Sequence, residues 1–171
     1  MDDLGGARRL TVEWQDPKPT LDTGKGLAGL EYLAEIRDGS LPRPPVAALI
    51  GFHLAEVAEG RAVFVFEPGE HHYNPLGSVH GGVVATLLDS AMGCAVHSTL
   101  PRGRFYTTLE IKVNYVRAVT AAAGTLRAEG RVIHAGRQAG TAEARLVDAD
   151  GKLYAHATTT CLVFDLPGEK R

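Results

Sequence analysis

From Ala48 to Glu67 apolar and polar residues alternate on either side of Glu59-Gly60, which predicts two strands joined by a tight turn. The same period of two returns in "YTTLEIKVNYV". It puts Leu109, Ile111, Val113 and Tyr115 on one face and Thr108, Glu110, Lys112 and Asn114 on the other. Three more strand-like runs follow, "GTLRAEGRVIH", "QAGTAEARLVD" and "KLYAHATTTCLVF", separated by "AGR" and "ADG", which are short enough for antiparallel hairpins. Between the second and third strands the period becomes helical. Val83, Val84, Leu87, Leu88, Ala91, Met92, Ala95 and Val96 cover most of a helix over 83–100, and Thr86, Asp89, Ser90, Gly93 and His97 share the remaining stripe. A shorter amphipathic helix is predicted in "GLAGLEYLAEIRDG", with Gly39 as its stop, and the prolines of "LPRPPVA" predict a non-helical connector after it. The order is helix, two strands, long helix, four strands. This is an α+β chain whose antiparallel sheet must be covered on its concave face by the long helix.

The segment before residue 27 has no sustained period and contains Pro17 and Pro19, so residues 1–26 are expected to form a flexible arm, with Trp14 as a possible anchor. Residues 27–166 are expected to form one domain and 167–171 a tail. A length of 171 residues, 44% hydrophobic and 22% charged, suits one soluble domain with a sizeable core. The net charge of −2 and the lack of a Lys/Arg stripe argue against a nucleic-acid partner. The opening "MDDLGGARRL" lacks the apolar region of a signal peptide, and no apolar run nears the roughly eighteen residues of a membrane span, so a cytoplasmic protein with no membrane partner is expected. Cys94 and Cys161 lie in separate apolar runs and read as core thiols. The seven histidines show no HExxH or clustered Cys/His spacing, so no metal is expected.

Two features of "HHYNPLGSVHGGVVATLLDSAMG" carry candidate chemistry. A helix that opens on His80-Gly81-Gly82 leaves first-turn N–H groups unpaired and unobstructed, a setting suited to an anion or oxyanion. Asp89 is a lone acid on the polar stripe and faces another subunit, a cavity, or both. Gly81 and Asp89 are eight residues apart, roughly 12 Å along one helix at about 1.5 Å per residue, too far to act on one carbonyl. If both serve one reaction, they come from two chains, as in a two-fold dimer with antiparallel helices. Gly93 would allow that approach. There is no Walker motif, no GxGxxG here, and no G-x-S-x-G elbow at Ser78.

"NPLGSVHGGVVATLLDSAMG" resembles the signature of hotdog-fold acyl-CoA thioesterases, in their PaaI-like (phenylacetate-pathway) branch, and the likeness extends through "YTTLEIKVNYVRAV" and "DADGKLYAHATTTCLVF". The resemblance implies a hotdog fold, an antiparallel sheet wrapped around a long central helix. It implies Asp89 as nucleophile or general base, the Gly81 N–H as oxyanion donor, and Asn74 and His80 as residues orienting the carbonyl or water. A hydroxyl on the strand after the helix is also implied, with Thr108 fitting better than the adjacent Thr107, and Arg137 as a contact for the coenzyme A moiety. Dimers or dimers of dimers (a homotetramer), with sites shared between subunits, are implied as well. Coenzyme A is then part of an acyl-CoA substrate and no separate cofactor is expected. The readings that compete with hydrolysis are a non-catalytic acyl-CoA binding protein and a hotdog hydratase or dehydratase.

Overall fold

Small residues on the sheet and large ones on the helix set the architecture. In the computed structural model, which describes residues 6–166, Ala128 and Gly130 on one strand and Ala142 and Ala144 on the next form a buried floor. The central helix α4 (Gly81–His97) lies on it and supplies Val84, Leu87, Leu88, Met92 and Val96 to the core. The approach is close enough that a Cβ on Gly130 would stand 2.2 Å from the Ala91 carbonyl oxygen. The first five residues of the expected arm and the expected tail at 167–171 lie outside the described residues.

The chain runs α1 (Lys18–Gly24), α2 (Gly29–Arg37), α3 (Pro45–Ile50), β1 (Phe52–Ala58), β2 (Arg61–Phe66), α4, β3 (Arg104–Tyr115), β4 (Leu126–Ala135), β5 (Ala139–Val147) and β6 (Leu153–Asp165). The strands form one sheet in the order β1-β2-β4-β5-β6-β3, antiparallel throughout. This is the hotdog arrangement, a curved six-stranded sheet around a central helix. Its two edges are β1 and β3. Helix α2 packs over β1, tied at its start by Gly29 N–H donating to the Leu100 carbonyl at 2.9 Å.

Three local features depart from the sequence pattern. "LPRPPVA" is only half a connector, because Pro45 takes the first helical position of α3, where its missing N–H is no loss. Residues 18–24 form a helix inside the expected arm, with Gly24 against the Tyr32 ring. In β3 the alternation slips at Leu109, where the pairing passes from Thr108↔Cys161 to Glu110↔Thr160. One residue is thereby bulged out, and every side chain before it changes face relative to those after it. Leu109 is 62% exposed, and Thr108 shares the inward face with Ile111 and Val113 instead of opposing them. Thr159 Oγ1 donates to the Glu110 carbonyl at 2.7 Å and secures the bulge.

Candidate active site

The start of α4 is held from several sides. His80 N–H donates to the His72 carbonyl at 2.8 Å, Val79 N–H donates to the Val119 carbonyl at 2.9 Å, and an isolated bridge joins Tyr73 to Val79. Asn74 uses its side-chain carbonyl to accept from Leu76 N–H at 2.9 Å, which folds the loop into the turn expected of Asn-Pro. Asn74 also lines a 320 Å³ cleft with Ser78, Gly81, Tyr115 and Arg117.

His80 is the N-cap of α4, and its Nδ1 accepts from Gly82 N–H at 2.9 Å. A neutral ring in that pose carries its proton on Nε2. The His80 carbonyl accepts from Val83 N–H at 2.9 Å and from Val84 N–H at 3.4 Å. Three of the first four N–H groups of the helix are thus engaged, and among the described residues Gly81 N–H has no acceptor. Tyr115 closes over the same turn. Its hydroxyl donates to the Gly81 carbonyl at 2.9 Å, and a Cβ on Gly81 would meet its ring at 3.2 Å.

Asp89 stands two turns further on, half-buried, and its Oδ1 accepts from Thr108 Oγ1 at 2.9 Å. Of the two adjacent threonines it is Thr108 that reaches the acid, while Thr107 is exposed on the opposite face of β3. The bulge at Leu109 permits this, because it lets Thr108 face the helix from the same strand whose far end carries Tyr115. Beside this pair, Tyr106 covers Gly93, where a Cβ would stand 2.3 Å from the phenol oxygen. Gly93, on the polar stripe, is expected from the sequence to allow the approach of a neighbouring subunit. The structure corrects this, since the chain's own Tyr106 fills that space.

Burial decides the state of the groups around Asp89. It pushes the Cys94 thiol up to about 12, so the thiol stays protonated, and it raises the Tyr106 phenol well above its usual range. His97, in the last turn of α4, is packed among the rings of Tyr32, Phe105 and Tyr106, and burial lowers it to about 4. His72 is likewise buried, bonded to Gly69 N–H and the Ile50 carbonyl, both at 2.9 Å. Both are core histidines.

Within one chain the candidates therefore fall into two groups, Asn74, His80 and Gly81 at the helix start and Asp89 with Thr108 at its middle. Arg137 joins neither. It is exposed in the β4–β5 loop, beside Gly140, which packs on Val96 at the opposite end of α4 from Gly81. Tyr115 and Tyr106 were missed as site residues. Alternation assigned Tyr115 to the core face, and Tyr106 had no signal apart from its distance of two residues from Thr108. No group of three or more His, Cys, Asp or Glu side chains able to hold a metal occurs among the described residues.

The thioesterase superfamily model matches residues 76–155, a span containing Gly81, Asp89 and Thr108. A 1,4-dihydroxy-2-naphthoyl-CoA hydrolase of Listeria monocytogenes is 28% identical over 67% of this chain and 91% of its own. A candidate esterase of Halobacterium salinarum is 40% identical over 82 residues, 47% of this chain, and the chain spans only about half (48%) of that relative's length. Among solved structures, a phenylacetic acid degradation-related protein of Ralstonia eutropha is 31% identical with a TM-score of 0.69, covering 77% of this chain and 98% of that one. A Streptococcus mutans protein solved bound to acetyl CoA is 28% identical with a TM-score of 0.61, covering 67% and 89%.

Proposed function

The chain belongs to the thioesterase superfamily, and from that membership we propose that it hydrolyses acyl-coenzyme A thioesters to a free acid and coenzyme A. The single observation that carries this reading is the pairing of one open helix-terminal N–H, at Gly81, with one half-buried carboxylate, at Asp89. The CoA thioester named for the Listeria relative and the acetyl CoA bound to the Streptococcus protein support the substrate class. The name of the Ralstonia relative favours the phenylacetate branch.

In this reading the thioester carbonyl oxygen sits at Gly81 N–H, which stabilises the charge that develops on attack by about 3 kcal/mol for one such donor. His80 and Asn74 orient the carbonyl or the water, and Thr108 holds the Asp89 carboxylate in one rotamer. Asp89 either attacks the carbonyl carbon or takes a proton from attacking water. The tetrahedral intermediate then expels coenzyme A as its thiolate, which takes up a proton from the water. Where Asp89 itself attacks, this leaves a mixed anhydride that water then cleaves at the acyl carbon, freeing Asp89, so that on either route the water oxygen becomes the second oxygen of the acid. Side chains, one backbone amide and water supply every step, with no cofactor beyond the substrate's own coenzyme A. Arg137 is retained as a contact for the coenzyme A moiety at the helix end away from Gly81.

The two groups of residues need a second chain. At about 1.5 Å per residue Asp89 lies roughly 12 Å from Gly81 along α4, so each site joins Asp89 and Thr108 of one subunit to the Gly81 turn of another. The support lies in β3, a twelve-residue edge strand whose outer edge is open and which exposes Leu109 and Tyr115 (55%), with Val116 (51%) exposed just after it. Its pairing with a second copy makes the dimer, and two dimers make a tetramer. No helix of the described residues is long and apolar enough to cross a membrane, which fits the cytoplasmic location we assign.

Coenzyme A release from a panel of acyl- and aryl-CoA esters tests the proposal. We expect turnover of at least one ester, with kcat at least about a hundredfold lower in Asp89→Asn and Asp89→Ala at unchanged fold and assembly. If no ester turns over, hydrolysis is wrong and the acyl-CoA binding protein takes its place; if wild type turns over an ester and the variants match it, Asp89 is not the catalytic group.

A further inference from the structure

A second cavity lies on the other side of α4 from β3. It has a volume of 310 Å³, and its walls are mainly apolar, with Leu33 and Ile36 of α2, Ala47 of α3, Leu54 of β1, Phe64 of β2 and Cys94 of α4, although Arg37, Arg43 and His53 also line it. That size is at the lower end for ligand pockets, and the lining is of the kind that holds hydrocarbon. Nothing in the hydrolytic reading uses it.

One side chain interacts with both Asp89 and the cavity-wall residue Cys94. Tyr106 reaches across the top of α4 at Gly93, one helical turn beyond Asp89 and about 6 Å along the axis. Its hydroxyl meets the thiol of Cys94, which is itself part of the cavity wall. On its near side, two residues along β3, Thr108 holds the Asp89 carboxylate. Only a glycine at position 93 lets the ring lie so low. The polar contact at its tip is weak, because a thiol is a poor acceptor and a buried phenol ordinarily finds a better one. Packing against His97, with ring centres 5.6 Å apart, and the volume of the ring itself keep Tyr106 in place.

We propose that Tyr106 sets the depth of the acyl subsite: its ring closes the passage from Asp89 across Gly93 into the apolar cavity. The wild-type chain therefore takes short or aryl acyl groups, and a smaller residue at 106 admits a long linear chain whose end lies among Leu33, Leu54 and Phe64. The inference rests on acyl-CoA hydrolysis at Asp89 and names the residue that selects among substrates.

The test is coenzyme A release across a linear series from acetyl-CoA to dodecanoyl-CoA, by wild type, Tyr106→Phe, Tyr106→Ala and Tyr106→Ala combined with Leu33→Trp. Tyr106→Phe keeps the ring and should keep the wild-type chain-length profile. Tyr106→Ala should raise kcat/KM for decanoyl- and dodecanoyl-CoA relative to butanoyl-CoA by at least about tenfold, given that even one methylene in an apolar pocket is worth that much. Leu33→Trp refills the cavity and should abolish the gain. An unmoved profile in folded Tyr106→Ala, or a gain that survives Leu33→Trp, overturns the proposal. If Tyr106→Ala does not fold, Tyr106→Leu is measured in its place against the same criteria. Should wild type release coenzyme A from no ester, hydrolysis has failed separately. Equilibrium binding of dodecanoate then decides the depth proposal, which requires Tyr106→Ala to bind at least about tenfold tighter than wild type and is overturned by equal binding.

Discussion

At the scale of single residues, chemistry is legible in the sequence where it coincides with position. Asp89, Gly81 and His80 stand out because an acid in an apolar helix and glycines at a helix start are both costly choices without a purpose. Ring packing is not legible in this way. His97 sat on the predicted polar stripe as though it faced outward, yet Tyr32, Phe105 and Tyr106 enclose it, because three distant segments converge there. Its burial has a consequence for acid stability. The folded state holds His97 near 4 while the unfolded chain titrates near 6.5, so the neutral ring is favoured by folding. That contribution is fully present above about 6.5, is lost as the pH falls toward 4, and amounts to about 3 kcal/mol. Denaturant unfolding across this window should show a shallower loss for His97→Phe than for wild type. Equal slopes would mean that the ring is not what resists protonation.

At the scale of elements, α4 was legible from its apolar circumference, and the hairpins from their spacing. The bulge in β3 was not. One extra residue leaves no mark in composition, and perfect alternation through Leu109 pointed the wrong way for Thr108, although its nearness to the acid followed from the family resemblance. Helix α3 was hidden because a proline that starts a helix looks the same as one that ends it. The floor beneath α4 was also unreadable, since alanines and a glycine in strands carry no signal until the helix is laid on them. Gly130 tests that floor. A Cβ there would collide with the Ala91 carbonyl, and neither a sheet nor a helix backbone yields easily. Gly130→Ala should cost about 1–3 kcal/mol in thermal or denaturant unfolding. A neutral result would show that helix and sheet can part without loss.

At the scale of the whole molecule, the proposed division of the site between two chains makes a prediction no single-chain mechanism shares. Asp89→Asn damages one half-site, and Gly81→Val, whose side chain would strike Tyr115, damages the other. Each homodimer should be inactive. When the two are denatured together and refolded, heterodimers carry one site built from two intact halves and one built from two damaged ones. A statistical mixture should then recover about one quarter of wild-type activity. No recovery, with heterodimers demonstrated by mass, would place Asp89 and Gly81 of the same chain in one site.

The open edge of β3, in the proposed two-chain site, ties the reaction to the law of mass action. Thr108, which holds the acid, and Tyr115, which braces the helix start, lie on that one strand, so under that proposal a lone subunit possesses both halves and can combine neither. Turnover per subunit should therefore fall on dilution, in step with dissociation, and coenzyme A esters should bind more tightly as protein concentration rises. The quantity of protein present, as well as its sequence, then sets whether there is an enzyme at all.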